Sequence, residues 1–117
     1  MSKYTVIVTD HDFEDLSIER AKLGDIAEVR TLSQCTKHDD IHSREYLATA
    51  DAVINLRYHL DTEDIAIMDN CNVISRYGIG VDNIDTEAAA RQEIPVTNVP
   101  DYCKEEVANH VMMLLLA

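Results

Sequence analysis

At 117 residues, with 46% apolar and 27% charged side chains, the chain has the size and balance of a single soluble domain around one core. Twenty-two acids against ten bases leave a formal charge of −12. With the bases scattered, that surface repels phosphate backbones and anionic lipid and excludes nucleic acid and membranes as partners.

The elements alternate. Residues 4–9 are β-branched and compact, bounded by Asp10, and predict a buried first strand. Residues 13–23 have helical spacing through Leu16, Ile18 and Ala21 and stop near Gly24. Residues 27–32 alternate as a second strand. A more polar helix is expected over 39–48, with Ile41, Tyr46 and Leu47 inward. Residues 52–56 read as a third strand, followed by a helix that Thr62 caps and Glu63 and Asp64 favour through the dipole. Residues 72–75 predict strand four, 85–91 a capped Ala-rich helix, and 95–99 strand five, closed by Pro100. Five short apolar strands separated by helices predict a flavodoxin-like, doubly wound, parallel α/β sheet.

From Lys104 a strong helix begins, with Val107, Val111, Met112, Leu114 and Leu115 apolar, and it runs to Ala117 without a polar tail. The expectation is a helix severed from a longer protein, whose apolar stripe (Met112, Met113, Leu114, Leu115) would face a partner domain or subunit. Its apolar run is far short of the ~20 residues that span a bilayer. The N-terminal stretch MSKYTVIVTD lacks the apolar core of a signal peptide. Cys35, Cys71 and Cys103 fit neither a zinc spacing nor a disulfide framework. A cytoplasmic protein is therefore predicted.

Two of the three glycines fall in SRYGIGVDNID, residues 75–85. A dinucleotide fingerprint would need a third glycine where Asn83 stands, and would follow the first strand of its unit. Gly78-Ile79-Gly80 is therefore not a cofactor loop. Glycine permits positive φ and removes Cβ, so the amides of Ile79 and Gly80 could converge on a carboxylate. A simple tight turn between strand and helix is the other reading.

Residues 73–85, then Ala88-Ala89-Ala90, Ile94-Pro95-Val96, Asn98-Val99-Pro100-Asp101-Tyr102 and Glu106-Val107-Ala108-Asn109-His110, closely resemble the D-isomer-specific 2-hydroxyacid dehydrogenases. The branch containing D-3-phosphoglycerate dehydrogenase is the most similar. The resemblance runs from about Ala52 onward. It implies a substrate-binding domain over residues 1–101, a hinge at Pro100, Asp101 and Tyr102, and over 102–117 the first helix of a missing Rossmann cofactor domain. That domain would bind NAD and carry the catalytic Arg, Glu and His, leaving no catalytic residue here. The resemblance further implies that Ile79 and Gly80 hold the substrate carboxylate and that Arg57 reaches its distal group. Tyr58 stands beside Arg57 where that branch has a small hydroxyl residue, so phosphoglycerate, glycerate and related acids all stay open. Cys103 matches a position near the cofactor side of the cleft. The whole protein would be a homodimer that transfers hydride between nicotinamide and C2 of a 2-hydroxy or 2-keto acid, while these 117 residues alone would be inactive. Some relatives are NAD-sensing corepressors, which leaves a non-catalytic interaction protein as the alternative.

Other groupings carry less. His38 and His42 are four apart on a helix but lack a third convergent ligand, so no metal site is expected. His59 and His110 read as surface or cleft-edge residues, and Glu105 and Glu106 as helix N-terminal acids. Asp10 and Asp12 invite comparison with a phosphorelay receiver. That reading also needs an Asp after strand three and a Lys after strand five, where Asn55-Leu56-Arg57 and Pro100-Asp101 stand.

Overall fold

The computed structural model describes residues 3–32 and 40–117. Strands β1 (Tyr4–Val8), β2 (Ala27–Thr31), β3 (Ala52–Asn55), β4 (Ile74–Arg76) and β5 (Val96–Thr97) form one parallel sheet in the order β2-β1-β3-β4-β5. Helices α1 (Ser17–Leu23), α2 (Asp40–Leu47), α3 (Thr62–Ala66) and α4 (Thr86–Arg91) connect them, and α5 (Lys104–Leu116) follows. This is the flavodoxin-like α/β order that the alternating elements predicted.

Side-chain alternation divides the sheet into two unequal faces. Ile7, Val53 and Ile74 point to the larger core, where Leu47, Leu60, Ile65, Met68, Ala88 and Ala89 cover them. Val6, Val8, Ala27 and Val29 point the other way, onto Leu16, with Leu23, Ile54 and Tyr77 half-buried around them. One face thus carries α2, α3 and α4, and the other relies largely on α1.

Several boundaries differ from expectation. Helix α1 starts at Ser17 rather than residue 13, because the Asp15 carboxylate accepts from the Ser17 amide (2.9 Å) and Leu16 occupies the cap position. Phe13 is thereby left in the preceding loop, and Ile18 is exposed rather than inward. Leu47 of α2 is buried but Tyr46 is exposed; Cys35, His38 and Asp39 lie outside the described residues. Asp61, not Thr62, caps α3, in a reciprocal arrangement in which each carboxylate of Asp61 and Asp64 accepts the other residue's amide. Asp64 is buried and also accepts from Arg44 (3.2 Å), which fixes α2 against α3. Strand β4 is displaced to Ile74–Arg76, and β5 is only two residues long. Helix α5 forms as expected but buries none of its residues.

Candidate functional site

In this topology the connections from β1 and β3 leave on opposite faces of the sheet, and a crevice opens beyond their carboxyl ends. Asp10, directly after β1, closes its floor. Its carboxylate accepts from the backbone amides of Leu56 (3.2 Å), Arg57 (2.7 Å) and Tyr58 (3.1 Å) and from the Thr9 hydroxyl (2.8 Å). Asn55, fully buried, donates to Thr9 Oγ1 and to the Tyr58 carbonyl, and its Oδ1 accepts from Asn83. Asn83 also donates to the carbonyls of Leu56 and Tyr58. The segment after β3 is therefore held from three sides, and Arg57 projects from a fixed backbone.

Above this floor lies a cleft of about 540 Å³ lined by Asp12, Phe13, Leu56, Arg57, Arg76, Tyr77, Gly78, Ile79, Tyr102, Cys103 and Val107. Arg57 Nη1 and Nη2 donate to the two carboxylate oxygens of Asp12, at 2.8 and 2.6 Å. Half-buried Arg76 donates from Nε to the Leu56 carbonyl (3.1 Å). A Cβ at Gly78 would lie 2.6 Å from Arg76 Nη1, so glycine is what lets the guanidinium lie on the loop. No glycine here has a positive φ, so the loop uses the missing Cβ and not left-handed backbone. The Ile79 carbonyl accepts from Asn98 (2.8 Å) and the Gly78 carbonyl from the Val99 amide (3.0 Å). Among the described residues no acceptor pairs with the amides of Ile79 or Gly80. Phe13 meets Tyr77 edge-on, ring centroids 5.2 Å apart, and His11 stacks beyond it. Burial, reinforced by the Glu19 carboxylate that its hydroxyl donates to (2.7 Å), pushes the Tyr77 phenol well up, so it stays protonated.

The family model described as D-isomer specific 2-hydroxyacid dehydrogenase, catalytic domain, matches residues 6–113. The chain belongs to this family. It is 33% identical over 108 residues to C-terminal-binding protein 1 of Caenorhabditis elegans, covering 90% of this chain and 14% of that one. It is 36% identical over 114 residues to D-3-phosphoglycerate dehydrogenase of Methanocaldococcus jannaschii, covering 96% and 20%. The NAD⁺-bound 3-phosphoglycerate dehydrogenase of Entamoeba histolytica superposes with a TM-score of 0.79 at 27% identity, covering 97% of this chain and 38% of that one. The chain thus spans well under half the length of these relatives.

As a 2-hydroxyacid dehydrogenase catalytic domain, the chain places its sequence-predicted residues unevenly. Arg57, Ile79, Tyr102 and Cys103 line the one cleft. Gly80 sits at its edge, outside the lining, and Tyr58 packs against the larger core. Pro100, Asp101 and Tyr102 form an exposed turn ending at Cys103, whose φ of 54° starts α5 without a side-chain cap. Sequence reasoning missed Arg76, Phe13 and Tyr77 as cleft residues. Arg76 and Tyr77, directly before the glycine loop, were the ones with a local signal. The residues do not fit a dinucleotide: Asn83 stands at the third fingerprint position with its side chain committed to the β3 loop, and no glycine lies between β1 and α1. No group of three His, Cys, Asp or Glu among the described residues could hold a metal. No helix among them is long and apolar enough to cross a membrane. A larger groove of about 620 Å³ between α4 and β5 offers no cationic side chain in its lining.

Proposed function

We propose that this chain is the substrate-binding part of an NAD-dependent oxidoreductase that transfers hydride between nicotinamide and C2 of a small 2-hydroxy or 2-keto acid. The observation that carries the reading is the pair of unspent amides at Ile79 and Gly80, in the loop that follows Arg76, with Ile79 and Arg76 both lining the cleft. A carboxylate there would gain charge-assisted hydrogen bonds from amides whose carbonyls are already tied down. Arg57 lines the same cleft, and on this reading it meets the distal group.

The cofactor and the acid–base groups belong to a second domain, with Pro100, Asp101 and Tyr102 as the hinge and α5 as its first helix. Support comes from α5 itself, which buries nothing against the sheet. On this reading the 117 residues orient an acid but do not turn it over, and a purified chain gives no NADH oxidation with hydroxypyruvate. Binding is testable directly. Titrating the ¹⁵N-labelled chain with D-glycerate should shift the amide resonances of Ile79 and Gly80. A Cβ at Gly80 would meet only Asp82, at 3.7 Å, so Gly80→Ala, which keeps the amide, should fold like the parent and keep the response, whereas Arg76→Ala should weaken it. Unmoved amides in the parent would refute the reading. The likeness to C-terminal-binding protein 1 favours a second reading, a non-catalytic interaction protein of this family. Absence of turnover in a longer protein that retains the second domain, with acid binding intact, would select it.

A further inference from the structure

We propose that Asp12 is a specificity-determining residue that reserves the distal end of this cleft for 2-hydroxy or 2-keto acids with an uncharged, apolar substituent. The inference rests on the carboxylate-binding role of Ile79 and Gly80 given above. Arg57 is the group that would otherwise select a second anion, such as a phosphate. Both terminal nitrogens of its guanidinium already face the Asp12 carboxylate oxygens, at 2.8 and 2.6 Å, which is the paired geometry a phosphate would need. Asp10 lies behind the same segment and cannot withdraw, because its carboxylate is bonded to three consecutive amides, Arg57's own among them.

The charges therefore balance before any ligand enters. Arg57 and Arg76 are offset by Asp12 and Asp10, and the whole chain carries −12. A monoanionic acid uses the Ile79–Gly80 amides and Arg76. A phosphorylated acid brings about two further negative charges to a cation that is already paired. The ion pair is largely exposed, at 70% and 56% for its two side chains. It discriminates through this balance of charge and not through its own modest strength. The remaining walls point to the same class of ligand. Phe13 and Tyr77 present ring surface, and Leu56, Ile79 and Val107 present aliphatic surface, all in the one cleft. Phe13 keeps half of its surface in solvent, at 52% exposed, and covering it is a gain open only to an apolar substituent.

The test compares two acids on the ¹⁵N-labelled 117-residue chain: D-3-phenyllactate and D-3-phosphoglycerate. Phenyllactate should shift the Ile79 and Gly80 amides and the Phe13 and Tyr77 ring resonances, and should bind about tenfold more tightly than phosphoglycerate. Asp12→Asn should raise phosphoglycerate affinity about tenfold and leave phenyllactate within about twofold, while Asp12→Glu should keep the parent ranking. A side chain that only stabilised the fold would move both ligands together, and the spectra report folding of each variant. Tighter phosphoglycerate binding by the parent, or an Asp12→Asn chain with unchanged ranking, overturns the proposal while the carboxylate site stands. If neither acid moves the Ile79 and Gly80 amides, the carboxylate site itself is wrong and this inference falls with it.

Discussion

Helices α4 and α5 follow one another in the chain yet are held in opposite ways. Helix α4 has six residues, but Asp85 caps it by accepting the Ala88 amide (2.9 Å) and also accepts from the Thr62 hydroxyl of α3 (2.5 Å). Ala88 and Ala89 are buried. Helix α5 has thirteen residues, no side-chain cap and no buried residue; Val111 is 49% exposed and Leu115 is 73% exposed. An isolated helix of about that length is marginal in water, so length is no measure of how firmly a helix belongs to a fold. What it buries, and which orphan amides its neighbours satisfy, decides.

Truncation of core side chains should break the comparison most sharply. Ile65, fully buried among α2, α3 and α4, should lose about 2–5 kcal/mol of stability on change to alanine. Val111→Ala on α5 should stay within about 0.5 kcal/mol, as exposed sites do. Urea unfolding of the two variants measures the gap; equal losses would mean that α5 is packed against this domain after all. A smaller effect tests the cap. The Thr62 hydroxyl and the Ala88 amide hold the Asp85 carboxyl below its ordinary pKa. A depressed folded pKa supplies stability that is present above the ordinary carboxylate value and lost as pH falls through the folded one. Asp85→Ala should therefore melt below the parent at neutral pH, and the difference should shrink below about pH 4. A pH-independent gap would show that the charge contributes nothing.

The same contrast explains what could be read from residues alone. β-Branched runs separated by helical spacing are local signals, and they sufficed for the strand count, the parallel sheet and α4 with its cap. Capping of α3 went to Asp61 because Asp61 and Asp64, three apart, accept each other's amides, a local signal passed over for Thr62; the tie from Arg44 to Asp64, twenty positions away, has no local pattern. Phe13 looked like the start of a helix; it is a cleft wall because Asp15 caps the Ser17 amide and Tyr77, sixty-odd positions on, receives its ring. Arg57 and Ile79, which the family pattern singled out, both line the cleft. The partner of Arg57 was not legible, since Asp12 reaches it only once β1 and β3 lie side by side.

The smallest expected effect on stability concerns the loop between β4 and α4. Gly78 is buried without a positive φ, and the atom a new Cβ would strike is the far end of the flexible Arg76 side chain. Gly78→Ala should therefore shift the guanidinium rather than the backbone. Loss of the Arg76–Leu56 bond costs about 0.5–1.5 kcal/mol, and reduced freedom of the unfolded chain returns about 0.4–1 kcal/mol. The two nearly cancel, so the melting temperature should hardly move. Acid binding should weaken nonetheless, because Arg76 is displaced from the cleft. A variant that melts like the parent and also binds D-glycerate like the parent would reduce Arg76 to packing and leave the amides of Ile79 and Gly80 as the whole of the carboxylate site.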